Sequence, residues 1–513
     1  MDSIRHIARV FSIARALARH DALFILKTAG IEPMAVWVAG LLGHKKSTLR
    51  PGQRLSGALQ EMGPSFIKLG QMLATRPDLL GEEIAADLSH LQDKLPPFAA
   101  NLAHSAIETE FGKPLNEIFS KFDDTPVAAA SIAQVHFAVT PTGQEVAVKV
   151  LRPGIEQSFQ NDLDLFFWAA KLIEKTRPEL KRLRPVEVVK TLARSVEMEM
   201  DLRFEAAAAS ELQDNFADDK SFIVPDVDWS TTAKRVLTTS RVHGVSIVDI
   251  AAIKKAGLDP LDILEKSASS FFMQVFRDGF FHADMHPGNV FVTPQGALAV
   301  VDFGIMGRLD KSTRRHLAEL LMAFLMRDYR RAAEVHFEAG WIPLGQSVDE
   351  FTQACRSIAE PVLDKPQNEI SIATLLGQLF QITETFEMET QPQLLLLQKT
   401  MLVAEGTGRK LAPEANMWFI ARPLIEGWMR ENLGPEARIK EAANEGAAML
   451  KRLPRLVRGM EKALADFEKG GLKLHPDTVK AMRGGRGGGP KKNGIALGLL
   501  ALVLGIGIIA LAL

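Results

Sequence analysis

The sequence predicts an α+β protein of two lobes, in which a small unit with strands precedes a mostly helical one. Short runs of apolar and β-branched residues begin near Phe122 and end at Leu151, and a Pro-Thr-Gly turn at residues 141–143 separates two of them. Apolar residues recur at helical spacing before this stretch and after Lys311. Strands gathered in one part of a chain and helices in another are typical of the α+β class.

Composition excludes several classes of protein. The chain has 513 residues, with 61 basic and 62 acidic side chains, and this balance argues against nucleic acid as the main partner. A hydrophobic content of 47% is too high for a mainly disordered chain. The single cysteine, Cys355, excludes an intramolecular disulfide and a multi-cysteine zinc site, and we expect it to pack as a small apolar residue.

The two ends of the chain differ in polarity: the first is basic and amphipathic, and the last is wholly apolar. Residues 1–20 mix four arginines with apolar residues, which predicts a basic amphipathic helix. Three alternatives stay open for it: a membrane-surface helix, a helix packed on the protein's own body, or part of an organelle-targeting segment. Residues 494–513 contain no charged or polar side chain. About 20 apolar residues are long enough to cross a bilayer, so this segment predicts a transmembrane anchor, with a buried core helix as the alternative.

Basic residues lie just before the apolar segment, in a Gly-rich linker at residues 467–493: Arg483, Arg486, Lys491 and Lys492. Positive charge beside a membrane span favours the cytoplasmic side. We therefore expect a protein of the inner (cytoplasmic) membrane, single-pass or peripheral, with its catalytic part in the cytoplasm.

Between the ends, helical and strand-like patterns alternate. Strands are predicted at residues 127–136, 137–140, 145–151, 222–227, 235–239, 290–292 and 297–301. Helices are predicted over most of residues 1–115, at 161–213 with breaks at Pro178 and Pro185, at 260–278, and from 311 to about 466.

Three separate places carry candidate chemistry. A Val-Ala-Val strand pattern ends in Lys149, whose amine can pair with the α- and β-phosphates of a nucleotide. Residues 282–289 have the D-x-x-x-x-N spacing of a kinase catalytic loop, with Asp284 as base or orienting group and Asn289 as a magnesium ligand. Asp302 opens an Asp-Phe-Gly triplet and supplies a second metal-binding carboxylate. Each signal alone is weak, but together they indicate magnesium-dependent nucleotide chemistry.

A rival interpretation places one metal ion on His282, Asp284 and His286. Such H-x-D-x-H ligation needs an extended strand, whereas Pro287 and Gly288 directly afterwards indicate a loop. We therefore expect His282 to brace the loop.

With these motifs, the sequence resembles the UbiB/ADCK family of atypical protein-kinase-like proteins over about residues 50–430. The resemblance depends also on a K-x-G-Q element within residues 64–73, an alanine-rich loop at residues 128–136 and an E-x-D element at residues 199–201. It implies a two-lobed protein-kinase-like fold with an N-terminal helical extension, the cofactors ATP and Mg²⁺, and a link to ubiquinone (coenzyme Q) biosynthesis.

The resemblance also implies roles for residues outside the kinase core. Lys68 and Gln71 lie on the extension, which in the family is thought to cover the active site, and they suit phosphate or carboxylate contacts. Glu199 and Asp201 are candidate partners of Lys68. Glu205 follows Asp201 by one helical turn on the same face and is the first choice for an ion pair with Lys149, with Glu199 as the second.

The alanine-rich loop stands where ordinary kinases have a Gly-rich loop over the phosphates. Alanine disfavours the positive φ angles that glycine permits, so the nucleotide should sit differently and ordinary protein phosphorylation is disfavoured. A plain packing turn is the alternative. The expected nucleotide-contacting residues are Val127, Ala128, Ala129, Ala130, Ser131, Ile132, Ala133, Gln134 and Val135.

The predicted function is that of a membrane-anchored atypical kinase or ATPase that uses Mg-ATP in or for ubiquinone biosynthesis. The alternative is a nucleotide-binding pseudokinase scaffold for membrane lipid-biosynthesis enzymes. Expected partners are a membrane lipid or quinone precursor and other ubiquinone-biosynthesis proteins, and not nucleic acid. The predicted domains are a helical extension (1–115), a kinase-like N-lobe (116–240), a helical C-lobe (241–466), the basic linker (467–493) and the anchor (494–513).

Overall fold

The computed structural model describes residues 2–25, 47–74, 81–89, 91, 95–176, 185–343, 345–361, 385–386, 388, 392–415 and 417–433. The chain divides into two compact units, one covering residues 1–421 and one beginning at Arg422. Of the second unit, the described residues form the end of a single helix. The candidate chemistry lies in the first unit.

Helices make up the N-terminal part, as the apolar spacing predicted: α1 (Asp2–Arg19), α2 (Pro51–Met62), α3 (Pro64–Ala74), α4 (Glu82–Ser89), α5 (Ala100–Phe111) and the short α6 (Leu115–Ile118). Helices α1 to α3 share one apolar core with α7 (Ile155–Thr176) and α8 (Pro185–Glu199). In this core the ring of Phe66 packs edge-on against that of Phe166, with 5.3 Å between centroids. Residues 13, 16, 17 and 18 of α1 are buried here, which agrees with the alternative of a helix packed on the protein's own body.

An antiparallel sheet follows the extension. Its strands are β1 (Lys121–Phe122), β2 (Ala128–Ala129), β3 (Ala133–Val139), β4 (Glu145–Leu151) and β6 (Val236–Ser240), in the order β1-β3-β4-β6 with β2 paired to β3. The predicted hairpin turn is confirmed: Gly143 has φ 88° and its N–H donates to Thr140 O. Glycine suits this position because side chains disfavour positive φ.

The strand predicted at residues 127–136 was wrong in extent. It is broken by a tight turn, in which Ala130 N–H donates to Ala133 O, and its second half continues into the next run as β3. Strand β4 confirms the run predicted at residues 145–151, in which Val146, Val148 and Val150 fill the core on one face. Lys149 therefore projects from the opposite face within the strand rather than from its end.

The remaining strands are β5 (Phe222–Ile223), β7 (Val245–Ser246), β8 (Phe280–His282), β9 (Val290–Val292), β10 (Leu298–Val300) and β11 (Met306–Arg308). Four of them form a second sheet in the order β5-β10-β9-β7, and β8 pairs with β11 in a two-stranded ribbon. Around them lie α9 (Leu202–Asn215), the 3₁₀ turn Trp229–Thr231, α10 (Ile250–Lys255) and α11 (Pro260–Phe272), which continues as a π-helical turn at Met273–Asp278. The strands predicted at 290–292 and 297–301 and the helix predicted at 260–278 are confirmed.

The rest of the described chain is helical, as predicted: α12 (Lys311–Leu325), α13 (Tyr329–Glu338), α14 (Val348–Ala359), α15 (Pro392–Leu411) and α16 (Met417–Leu433). The predicted linker at 467–493 and anchor at 494–513 lie outside the described residues. Within the described ranges, none of the helices combines the length and apolar character that a bilayer crossing needs.

Candidate active site

Three residues far apart in sequence meet at the face of β4. The Lys149 amine lies 2.7 and 2.9 Å from the two carboxylate oxygens of Glu205 on α9, and 3.0 Å from Asp302 Oδ1 after β10. The ion pair predicted between Lys149 and Glu205 is thus present. Lys149 and Glu205 are largely buried, whereas the Asp302 side chain is 49% exposed. One cation therefore joins a buried structural carboxylate to a carboxylate that faces outward.

The charges of this triad shift each other's protonation. Burial disfavours the charged amine, but the carboxylates of Asp302 and Glu205 outweigh it and raise the pKa of Lys149. The Lys149 charge lowers the pKa of Asp302 below its ordinary range. Burial, with the nearby Asp302 charge, raises the pKa of Glu205 in spite of Lys149. Asp302 is therefore the ionised carboxylate that can bind a further cation, while Glu205 depends on Lys149 for its charge.

Asp302 also has an unusual backbone, with φ 64°. Aspartate tolerates this left-handed conformation better than most residues. The next residue, Phe303, is buried in the core beneath the second sheet and fixes the conformation. The Asp-Phe-Gly triplet thus turns the carboxylate towards Lys149 while its phenylalanine anchors the chain.

His282 connects the loop of Asp284 to the strand that ends before Asp302. Its Nδ1 accepts the N–H of Asp284 (3.1 Å), and its Nε2 lies 3.3 Å from Val301 O. Both contacts are satisfied by the neutral ring with its proton on Nε2. Burial lowers the pKa of His282 despite the two nearby carboxylates, which keeps this tautomer. The histidine braces the loop, as expected from the sequence.

Asn289 closes the same loop from its other end. Its Nδ2 donates to Asp284 O (3.1 Å), and its own carbonyl accepts the N–H of Val301 (2.9 Å). Because the amide nitrogen is committed to Asp284, the amide oxygen is the atom left to bind a cation. The donor set of Asn289 and Asp302, one amide oxygen and one carboxylate, fits the hard oxygen preference of Mg²⁺. No cluster of three His, Cys, Asp or Glu side chains suited to a metal occurs in the described ranges.

The alanine-rich turn lies across β3 from Lys149. Val135 is paired with Lys149 in the sheet, so both side chains share a face. Val127 and Ala128 are exposed, but Ser131 is fully buried, so a phosphate contact by its hydroxyl would need the turn to shift.

Two side chains fasten the turn to the N-terminal extension. Gln134, a predicted nucleotide contact, is engaged with Phe98: its Oε1 accepts the Phe98 N–H (3.0 Å) and its Nε2 donates to Phe98 O (3.3 Å). Arg152 donates to Ala130 O and Pro96 O, and its guanidinium lies over the Phe98 ring. The position of the turn therefore depends on residues 96–98.

The K-x-G-Q element reaches the site through Lys68. The Lys68 amine lies 2.8 Å from Glu199 Oε2, so the predicted pairing with Glu199 is confirmed. The charge of Lys68 also helps to lower the pKa of Asp302. Gln71 lies one turn further along α3, on the same face. The predicted pairing of Lys68 with Asp201 was wrong. The prediction that Asp201 and Glu205 share one helical face was also wrong. Asp201 is the N-cap of α9, with a non-helical backbone, and binds Arg203.

Sequence reasoning missed Lys399. This residue lies on α15, 115 positions after Asp284, and its amine is 2.9 Å from Asp284 Oδ1. Nothing in the helical pattern of residues 392–411 distinguishes this lysine from a surface residue. One sequence feature could have indicated a distant partner for Asp284: residues 282–289 contain no Lys or Arg that could pair with its carboxylate.

Comparisons with known proteins match two parts of the chain to known domains. Residues 90–336 match the model of the ABC1 atypical kinase-like domain, and residues 355–416 match that of the UbiB helical domain. The solved complex of Rv3197 with erythromycin from Mycobacterium tuberculosis is similar in fold, with a TM-score of 0.50 and 25% identity over 72% of this chain and 93% of that one. The fold is therefore kinase-like, with mixed helices and sheets.

Curated relatives are similar over most of their length. A protein of Marinobacter nauticus named "Probable protein kinase UbiB" is 45% identical over 427 residues, which are 82% of this chain and 78% of that protein. A protein of Azotobacter vinelandii with the same name is 40% identical over 482 residues, 91% of this chain and 88% of that protein. Similarity therefore extends across both matched domains.

Proposed function

The chain belongs to the UbiB family of ABC1 atypical kinase-like proteins, as its motifs predicted, and from this premise we propose that it is a Mg-ATP-dependent phosphotransferase or ATPase. The observation that carries the proposal is the convergence of Lys149, Glu205 and Asp302 at the face of β4. Kinases hold nucleotide phosphates with such an arrangement, in which a buried lysine pairs with one buried carboxylate and also contacts an exposed carboxylate.

The proposed reaction transfers the γ-phosphoryl group of ATP to a hydroxyl or to water. A bond forms between the attacking oxygen and phosphorus, the bond from phosphorus to the bridging oxygen breaks, and its electron pair leaves with ADP. Asp284 orients the attacking hydroxyl and accepts its proton. Lys149 binds the α- and β-phosphates. Bound Mg²⁺ supplies positive charge to the phosphate oxygens, and Asn289 and Asp302 are the residues that would hold it.

The acceptor is proposed to be a small or lipid-like molecule, or water, rather than a polypeptide. The support is the extension: Lys68 on α3 reaches Glu199 and acts on Asp302, and residues 96–98 hold the alanine-rich turn. In this proposal, the extension covers the approach that an extended peptide would use. Family membership supports a role in ubiquinone biosynthesis, with a quinone precursor or membrane lipid as ligand and other enzymes of that route as partners.

Membrane attachment is part of the proposal and is supported by sequence. Residues 494–513 are wholly apolar and follow a basic linker. We expect the full chain to float with anionic liposomes in a density gradient and a variant lacking residues 494–513 to stay at the bottom. Equal flotation of both would remove the anchor from the proposal.

The function is tested by ATP turnover in liposomes, with and without a phenolic quinone precursor. Asp284→Asn and Asp302→Asn should each lower turnover by about 10²-fold or more, because they remove the orienting group and the metal ligand. Asparagine keeps the backbone tolerance needed at residue 302. Asp124→Asn, at a surface carboxylate that is 68% exposed, is the matched control. If turnover is unchanged in both site variants while nucleotide still binds, the turnover does not come from this site, and the pseudokinase scaffold replaces the enzyme in the proposal.

A further inference from the structure

The loop that carries Asp284 provides no positive charge for the transferred phosphoryl group. Residues 282–289 contain no Lys or Arg. Burial lowers the pKa of His282, and both of its ring nitrogens are occupied by backbone contacts. The Nδ1 of His286 accepts the N–H of Gly288, and its Nε2 is 3.9 Å from Asp284 Oδ2, beyond hydrogen-bond distance. Phosphoryl transfer places growing negative charge beside this loop, so a cation on the Asp284 side would add to the stabilisation that Lys149 and Mg²⁺ are proposed to supply.

Lys399 supplies that cation from a different domain. Its amine donates to Asp284 Oδ1 at 2.9 Å, and the two side chains are 32% and 25% exposed. The kinase-like match ends at residue 336, whereas Lys399 lies in the matched helical domain, residues 355–416. The catalytic loop is therefore completed by a residue from outside the kinase-like domain.

The position of Lys399 is built into the fold. Helix α15 packs on α11 and on β11, the strand paired to the one that enters the catalytic loop. Leu397 and Thr400, on either side of Lys399, are buried. Leu411, at the end of the same helix, shares a core with Met285 and Phe303, the neighbours of Asp284 and Asp302. The core that fixes the loop thus also fixes the helix that carries the lysine.

On the basis of the proposed function, we infer that Lys399 binds the γ-phosphoryl group of ATP during transfer and keeps Asp284 turned towards the attacking hydroxyl. With Oδ1 bound to Lys399, the second carboxylate oxygen faces the acceptor. An acceptor oxygen lies about 3 Å from this carboxylate and about 3–3.5 Å from phosphorus in a reactive complex. The Lys399 amine has three N–H donors, so one can stay on Oδ1 while another reaches an oxygen of the phosphoryl group.

Two measurements test the inference in the full-length protein. Lys399→Met should lower the kcat of ATP turnover by about 10²–10³-fold, the effect of losing one preorganised charge contact, while the Kd of Mg-ADP changes less than about twofold. The affinity for Mg-ADP with aluminium fluoride, which mimics the transferring group, should fall by a similar factor. Lys399→Arg should recover part of both. Lys410→Met, which removes an exposed lysine from the same helix, is the matched control and should change neither.

The outcomes separate the inference from the function on which it rests. Unchanged or faster turnover in Lys399→Met would mean that the ion pair is only structural or holds Asp284 inactive, and it would overturn the inference alone. No turnover in the wild type would overturn both. If Lys399→Met does not fold, Lys399→Gln and Lys399→Arg are compared instead. Equal affinity of these two variants for the aluminium fluoride complex would refute a role for the charge of Lys399.

Discussion

The buried pair of Lys149 and Glu205 gives the sharpest prediction about stability. Lys149→Met removes the cation and leaves the Glu205 carboxylate, which is 9% exposed, without its partner. Removing one member of a buried ion pair destabilises a protein by about 3–5 kcal/mol. We expect a loss of this size in the free energy of unfolding, measured by urea denaturation followed by circular dichroism at about pH 7.5.

The loss should depend on pH in a direction that the pKa of Glu205 fixes. That pKa is already raised by burial and should rise further without Lys149. A carboxyl whose folded-state pKa exceeds its unfolded value keeps its full contribution below the unfolded value and loses it as the pH rises through the folded one. Lys149→Met should therefore be much less destabilised near about pH 5 than near pH 7.5.

The double variant separates this mechanism from loss of packing. Lys149→Met with Glu205→Gln has no buried charge, so it should regain most of the lost stability at about pH 7.5 and show little of the pH dependence. Lys121→Met, at an exposed pair with Asp123, is the control and should change stability by less than about 0.5 kcal/mol. A double variant as unstable as the single one, with the same stability at both pH values, would refute the reasoning.

Three further predictions concern single buried positions. Gly307→Ala would place a Cβ against the buried ring of Phe281, so it should lower the free energy of unfolding by about 1–3 kcal/mol and reduce ATP turnover. Burial lowers the pKa of His336 to about 4, so its contribution to stability is full above the unfolded value of 6.5 and is lost as the pH falls towards 4. His336→Phe should remove about 3 kcal/mol of that acid dependence, measured by urea denaturation at several pH values. Burial raises the pKa of Cys355 to about 12, so a disulfide reagent near neutral pH should label it only after urea unfolding.

Each of these has a built-in check. Gly345→Ala, where an added Cβ meets no atom, should be nearly neutral, and equal destabilisation by both glycine variants would contradict the steric argument. Unaltered acid dependence in His336→Phe would assign that dependence to other groups. Because the chain has one cysteine, fast labelling of the folded protein would directly disprove the burial of Cys355.

The sequence predicted those parts of the site that depend on local pattern. The loop spacing of Asp284 and Asn289 and the strand alternation around Lys149 are written in consecutive residues, and the structure places each where its pattern indicated. Glu205 was identified as the partner of Lys149, although the reasoning from a shared helical face failed. Asp201 caps the helix from outside, so its backbone does not follow helical periodicity.

What the sequence could not predict depends on contacts distant along the chain. The link between Lys399 and Asp284 spans 115 residues, and a lysine within an ordinary helical pattern carries no mark of such a partner. The engagement of Gln134 with Phe98 and the π-helical turn at Met273–Asp278 likewise follow from packing between elements. Sequence periodicity describes one helix or strand at a time, so it indicates candidate residues but not which of them contact each other.

The shared core of the extension and helices α7 and α8 has a consequence for synthesis of the chain. Leu17 and Phe66 leave the ribosome first, but the residues that cover them, among them Phe166 and Leu202, are made much later. At about 5–20 residues per second, the apolar face of the extension waits on the order of ten seconds for its partners. The extension is therefore the part of the nascent protein most exposed to chaperones and proteases, and a translational pause before residue 202 would lengthen that exposure.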